Sequence, residues 1–318
     1  MGANPQVYSL DDDASEVLRG LTSRPKQLPP KLFYDAAGSI LFELITEQPE
    51  YYLTSTEQSI FERYAAEMVC AAGNSANIIE LGAGSAKKTM LILRAAANIH
   101  SPITFTPIDV SSFALELAHQ RVRSELPEVV VAPLVLDYTR HAPSLAQTPG
   151  QRLVLYIGSS IGNFEPMAAS GVLRHLRSSL KPGDALLLGT DMRKPSNILL
   201  PAYDDQAGVT ARFNLNILAR LNRELEANFD LERFVHRAIW NKRDSRIEMH
   251  LESIGSQRVR IRSLDTTIDF APGETIHTEN SYKFSPAMIE ALALNSGFAL
   301  EQNWSDERGW FTVTLLRA

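Results

Sequence analysis

The sequence predicts an α/β protein: a mostly parallel sheet with helices on both faces, carrying an inserted α+β unit. Three observations predict it. From residue 77 to 192, apolar strand patterns alternate with helical ones, the signature of parallel strands covered on both faces. Near residue 195 that rhythm breaks into a polar-faced helix and hairpin-like strands. The chain then closes on one helix and two strands, as an antiparallel pair finishing a parallel sheet would. With 318 residues, 44% of them hydrophobic, it is too long for one small core and suits one large domain with an insert.

In chain order, residues 1–30 are polar and proline-dotted, with an acidic run at Asp11–Asp13, and are expected to be loosely ordered or draped over another domain. "LFELITEQPEYYLTSTEQSIFERYAAEMVCAAG" shows helical periodicity, broken near Pro49 and restarted at a Ser/Thr-rich cap before Glu57. "NIIEL", "ITFTPIDVS", "VVVAPLVLDY", "RLVLYIGSS" and "DALLLGTDM" are strands. The helices among them are "KKTMLILRAAANI", "SFALELAHQRVRSEL" and "MAASGVLRHLRSSL". "NLNILARLNRELEANF" is the insert's helix, and "HRAIWNKRD", "RIEMHLESIG" and "QRVRIRSL" are its strands. "SPAMIEALALNSG" returns to helix, ahead of the last strands "FALEQNWSD" and "WFTVTLLRA". These breaks place one domain at 60–196 and 286–318 and a second at 1–59 and 197–285.

The bulk numbers exclude several classes. Lys and Arg total 31 against 37 Asp and Glu, a net charge of −6, so no global field attracts nucleic acid. Cys70 is the one cysteine, which rules out an intrachain disulfide, and its small-residue helical setting reads as a buried apolar side chain. The seven histidines include no pair at i, i+4, which argues against a structural zinc. No run approaches the roughly 18 apolar residues of a membrane span. The N-terminus lacks an apolar signal core, and Gln6 stands where N-myristoylation wants Ser or Thr. A cytoplasmic monomer acting on a small molecule is expected.

The chemistry starts at "IIELGAGSAKKT", residues 78–89. A dinucleotide loop beginning at Gly82 would need Gly or Ala at position 87, where Lys87 stands, and the helix could not pack closely there. Glu80, Gly82, Gly84 and Ala86 instead fit the acid-x-G-x-G-x-small pattern common in S-adenosylmethionine folds. A merely tight strand–helix turn has the same residues. Asp109 ends the second strand, where an acid can accept both hydroxyls of a ribose or cap the helix at Ser111. Asp137 and Tyr138 end the third strand and could meet an adenine edge and ring. Groups after successive strands line one crevice at the carboxyl edge of such a sheet. No P-loop is present, and a charge-poor cradle suits a sulfonium better than a triphosphate.

"LPPKLFYDAAGSILFELITEQPEYYLTSTE", with "ELGAGSAKKT", "YIGSSIGNF", "AYDDQAGVTARFNLNIL" and "IHTENSYKF", resembles the histidine Nα-methyltransferases of ergothioneine biosynthesis, over nearly the whole chain. The resemblance implies a Rossmann-like class I methyltransferase sheet that binds S-adenosylmethionine, with a substrate-binding domain made from the N-terminal region and the insert. It implies transfer of three methyl groups to the α-amine of L-histidine, giving hercynine. It implies cofactor contacts at Gly82, Lys88, Asp109, Asp137, Tyr138 and Gly158, and substrate contacts at Tyr51, Asn163, Tyr203, Glu279, Asn280 and Ser281. Phe42 and Phe213 sit where the family's pocket walls lie.

The residue types suit that chemistry. Methyl transfer from a sulfonium is an in-line displacement that needs position more than acid–base power. The Tyr51 hydroxyl could orient the amine, or belong to an interface aromatic. Asn163 and Tyr203 could bond the carboxylate, although Asn after Gly is also an ordinary turn residue. Glu279 and Ser281, two apart on a strand, share one face and could serve the two imidazole nitrogens; the alternative is a solvated strand face. His277 and Lys283 are assigned to that solvated class. Phe42, Tyr51, Phe213 and Tyr203 offer aromatic faces to a trimethylammonium. Two other readings share this sequence: an N-methyltransferase of another free amino acid, and a non-catalytic cofactor-binding module.

Overall fold

The computed structural model describes residues 10–73, 75–140 and 150–318. The first elements are α1 (Leu10–Thr22), β1 (Lys26–Gln27), α2 (Ala36–Thr46) and α3 (Tyr52–Ala71). Then come β2 (Asn77–Leu81), α4 (Thr89–Ala97), β3 (Ile103–Asp109), α5 (Ser112–Glu125), β4 (Val129–Val131) and β5 (Leu134–Val135). β6 (Arg152–Tyr156), α6 (Pro166–Ser179), β7 (Ala185–Asp191), α7 (Ser196–Leu199) and α8 (Val209–Glu224) follow. The chain continues through β8 (Phe234–Asn241), β9 (Arg246–Ser253), β10 (Gln257–Ile261), β11 (Thr266–Phe270) and β12 (Thr275–Tyr282). It ends with α9 (Pro286–Asn295), β13 (Ala299–Ser305) and β14 (Phe311–Arg317).

The chain divides into two compact units. Among the described residues, the first holds 53–193 and 282–318; the second holds 10–52 together with 194–281. The breaks drawn on the sequence after 59, 196 and 285 fall a few residues later than these. The largest difference has a simple cause. α3 is one continuous helix from Tyr52, so Ser55 and Thr56 lie inside it and cap nothing.

In the first unit eight strands form one sheet, in the order β13-β14-β7-β6-β2-β3-β4, with β5 continuing along β3. β4, β3, β2, β6 and β7 run parallel; β14 runs antiparallel to β7, and β13, antiparallel to β14, turns back to the common direction. The parallel core with its antiparallel strand near one edge is the architecture expected from the sequence. β6 and β7 are buried at every position, which explains their unbroken apolar runs. Alternate residues serve opposite layers. Ile78, Phe105, Leu153 and Leu187 pack with Phe61, Leu93 and Val122 of α3, α4 and α5. Ile79, Val154, Tyr156 and Leu188 pack with Leu173, Leu176, Ile289 and Leu292 of α6 and α9. The expected third strand is two short ones, because Pro133 and its neighbours interrupt the ladder between Val131 and Leu134.

The second unit carries a four-stranded sheet, β1-β12-β9-β8, and the hairpin β10-β11. β9 alternates buried and half-buried residues along its whole length, and α8 lies against β8 and β9. The expectation of loose order before residue 30 fails for the described part. α1 buries Val17 and Leu21, and β1 pairs with Ile276 and His277 of β12. Asp35 caps α2 by accepting from the Gly38 N–H at 2.7 Å.

Candidate active site

The loop after β2 is shaped by residues that tolerate left-handed backbone. Gly82 has φ +68° and Gly84 φ +51°. A Cβ on Gly82 would lie 3.3 Å from the Tyr138 hydroxyl, whereas Gly84 faces open space. Ala86 adopts φ 54° without glycine's freedom, the kind of local strain that gathers at binding loops. The Asp109 carboxylate accepts from the Gly84 N–H at 3.0 Å and the Ser111 N–H at 2.9 Å. It therefore ties the β2 loop to the β3 loop. Burial raises the Asp109 pKa, and the backbone N–H groups of Ser111, Gly84 and Val110 pull it back.

Asp137 accepts from the Thr139 N–H at 3.0 Å. The Tyr138 ring stands edge-on to Tyr156, with centroids 5.6 Å apart. Gly158, with φ +74°, follows β6 and donates its N–H to both oxygens of Glu57, at 2.9 and 3.1 Å. Lys88 pairs with the same carboxylate. A Cβ on Gly189 would come within 2.4 Å of Glu57 Oε1, so glycine is required there for the carboxylate to enter. Gly82, Lys88, Asp109, Asp137, Tyr138 and Gly158 thus all lie at the carboxyl edge of the sheet. Glu57 was missed by sequence reasoning. The signal was an acid within the buried stripe of α3, where Thr56, Ile60 and Phe61 are also enclosed.

Carboxylates, a tyrosine, backbone N–H groups and one neutralised lysine make a cradle suited to a ribose diol and a zwitterionic amino-acid end. The open space at Gly84 leaves room for such a group. A triphosphate would find too little positive charge here. The residues present fit S-adenosylmethionine.

The second unit gathers the aromatic residues. Phe42 lies 6.4 Å from Tyr51 and 6.0 Å from Phe213, and Tyr51 lies 6.3 Å from Tyr203, ring centre to ring centre. Tyr34 joins them, 5.8 Å from both Phe42 and Phe213, and Phe33 stacks on Phe213 at 4.5 Å. Tyr34 also escaped sequence reasoning, because nothing in "LFYDAA" sets one aromatic above the next. On β12, Glu279 and Ser281 are both buried, so the solvated strand face is not what forms. The Ser281 and Tyr203 hydroxyls meet at 2.7 Å. Strand alternation turns Asn280 to the opposite face. Asn163 belongs to the first unit, in a 3-10 turn at Ser160–Asn163. There Gly162 approaches the Tyr282 backbone so closely that a Cβ would sit 3.0 Å from its carbonyl.

Three sequence expectations need correction. Lys283 is fully buried and pairs with the equally buried Asp191 at 2.7 Å. Its charge is compensated inside the protein and not by water. His277 is half-buried and stacks on His250 at 4.8 Å. Cys70 is exposed. The enclosed stripe of α3 runs through Ala65, Met68 and Val69, and position 70 points away from it.

Comparison with known proteins agrees with this geometry. Residues 13–318 match a family model described as histidine-specific methyltransferase, S-adenosylmethionine-dependent. A histidine N-alpha-methyltransferase of Mycolicibacterium smegmatis is 43% identical, over 97% of each chain. One from Mycobacterium tuberculosis is 42% identical, over 94% of this chain and 93% of that one. Ergothioneine biosynthesis protein 1 of Neurospora crassa is 31% identical over 88% of this chain, which spans 32% of that longer protein.

Proposed function

Because the chain belongs to the S-adenosylmethionine-dependent, histidine-specific methyltransferases, we propose that it moves three methyl groups onto the α-amine of L-histidine. The product is hercynine, on the route to ergothioneine. The protein is an enzyme, and its methyl donor is S-adenosylmethionine. That donor supplies a methyl carbon activated by an adjacent sulfonium. The reading takes Asp109 and Asp137 as acceptors for the ribose and the adenine edge, with Tyr138 beside the ring. Lys88 and Gly158 serve the donor's amino-acid end.

The attacking amine must be neutral, and the departing thioether needs no proton. The protein's task is therefore orientation. The Tyr51 hydroxyl orients the amine, while Asn163 and Tyr203 donate to the substrate carboxylate. Glu279 accepts the imidazole N–H and Ser281 serves the other nitrogen; Asn280, expected as a substrate contact, faces the other side of the strand and is left out of this set. The aromatic group of Phe42, Tyr51, Tyr203 and Phe213 favours the growing positive charge. The observation that carries this reading is the buried pair Glu279 and Ser281 on one strand face. A ligand lacking matching polar groups would forgo its hydrogen bonds to both.

The test is mass spectrometry of the purified protein incubated with donor and a panel of amino acids. A gain of three methyl groups on histidine, lost in preference when Glu279→Ala is used, supports the reading. Equal turnover of other amino acids, or unchanged selectivity in the variant, overturns it. Phe213→Ala should shift the product mixture toward mono- and dimethylhistidine, and an unchanged ratio removes the aromatic role. The reading also includes a monomer acting in the cytoplasm, which light scattering and cell fractionation check.

A further inference from the structure

A buried polar chain runs through the interior of the second unit. α8 encloses Val209, Phe213, Ile217, Leu218 and Leu221, yet Asn214 sits fully buried among them. The Asn214 side chain faces three groups. Its Oδ1 lies 2.7 Å from the Thr278 hydroxyl of β12. Its Nδ2 lies 3.0 Å from the His250 carbonyl and 2.8 Å from His236 Nδ1. The other ring nitrogen, His236 Nε2, lies 2.8 Å from the Tyr203 carbonyl.

Two carbonyls decide how the Asn214 amide is turned and where the His236 ring carries its proton. A backbone carbonyl can only accept. The His250 carbonyl therefore fixes the amide with its NH2 side toward His250 and His236. His236 Nδ1 must then accept, and its one proton must sit on Nε2, pointing at the Tyr203 carbonyl. Both ends of the imidazole are thus committed. A proton added at Nδ1 would face the Asn214 NH2, donor against donor.

We propose that His236 is a positioning residue for substrate: held by Asn214 as the Nε2–H tautomer, it anchors the Tyr203 main chain so that the Tyr203 and Ser281 hydroxyls stand as a fixed pair. This role rests on the reading of Tyr203 and Ser281 as substrate contacts. It deepens that reading by naming what holds them. Tyr203 closes a 3-10 turn, Leu200–Tyr203, and turns of this length hold their position through few internal bonds. The bond from His236 ties its last carbonyl to β8. Asp205 ties the following residues to α8, accepting from the Val209 and Thr210 N–H groups at 2.8 and 2.7 Å. Burial lowers the His236 pKa, opposed by the bond to Tyr203 and by Asp204 and Asp205, so the neutral ring is retained.

The test compares His236→Gln, which keeps a side-chain N–H for the Tyr203 carbonyl, with His236→Phe, which keeps shape and removes both bonds. His236→Phe should raise the histidine KM about tenfold, the effect of releasing the Tyr203 carbonyl, with donor affinity unchanged. His236→Gln should restore most of it. Tyr203→Phe and Ser281→Ala are measured alongside. If neither of those raises the histidine KM, the substrate reading fails; if both do and His236→Phe does not, the positioning role fails. Equal loss of histidine and donor binding in His236→Phe would also overturn it. Nitrogen-15 NMR of the unmodified enzyme is the second measurement, independent of whether a variant folds. The His236 ring should show a protonated Nε2 and a bare Nδ1, and the reverse tautomer rules the proposal out.

Discussion

At the scale of one residue, Glu80 shows how a loop motif acts on stability. Its carboxyl is buried at the end of β2, where the Thr89 hydroxyl reaches it at 2.7 Å. Burial raises its pKa from 4.5 to about 8, against the pull of Thr89 and Lys88 and helped by the charges of Glu57 and Asp109. The folded protein thus holds this proton where the unfolded chain has released it. Folding stability from this group is full below pH 4.5 and declines as pH rises toward 8. Glu80→Gln keeps the acceptor for Thr89 and has no proton to lose. Denaturant titrations should find the variant gaining on the parent between pH 6 and pH 9. Parallel stability–pH curves would refute this.

Residues differ in how far they could be read in advance. The left-handed turn at Gly82 and Gly84 and the strand-end place of Asp109 were legible, because a short spacing around an apolar strand sets them. Glu57 was not. The group it accepts from, Gly158, lies 101 positions away, and no local pattern links the two. Lys283 was misread for the same reason, since Asp191, which compensates its charge, is remote in sequence. Hydrophobic patterning assigns a lysine to solvent unless a partner is known.

At the scale of elements, α2 and the start of α9 give two measurable dependencies. The Asp35 carboxylate caps α2 through Gly38, accepts from Asn216 at 2.8 Å and pairs with Arg223 at 2.6 Å. Asp35→Ala removes all three and should destabilise by about 2 kcal/mol, a cap plus its tertiary bonds. Chemical denaturation checks the value, and a change under ~0.5 kcal/mol would show the cap to be idle. The Lys283–Asp191 pair stands just before α9 with neither partner exposed. Lys283→Met strands a buried carboxylate and should cost about 3–5 kcal/mol, whereas Lys283→Met with Asp191→Leu should recover much of that. Equal losses in the single and double variants would mean that the pair is not the issue.

For the whole molecule, donor binding should appear as added stability. A ligand at one hundred times its Kd contributes about 2.7 kcal/mol to the state that binds it. In a chain of 318 residues, S-adenosylmethionine or S-adenosylhomocysteine should therefore raise Tm by a few degrees, roughly 1.5 °C per kcal/mol. NAD should leave Tm unchanged, since Lys87 stands where a dinucleotide loop needs a small residue. A matching rise with NAD, or none with either methyl-donor ligand, would remove the cofactor assignment from the loop after β2.

The sequence by itself determined the alternation of strands and helices, the break near 195, the antiparallel ending and the glycine loop with its acids. Each is written in neighbouring residues, through side-chain periodicity or through backbone angles that few residue types tolerate. Tertiary structure alone decided that Glu57 meets Gly158, that Lys283 and Asp191 neutralise each other, and that Asn214, His236 and Tyr203 share one hydrogen-bonded chain. A buried polar group is tolerable only when a partner is supplied, and the partner's place in the sequence is free to be anywhere.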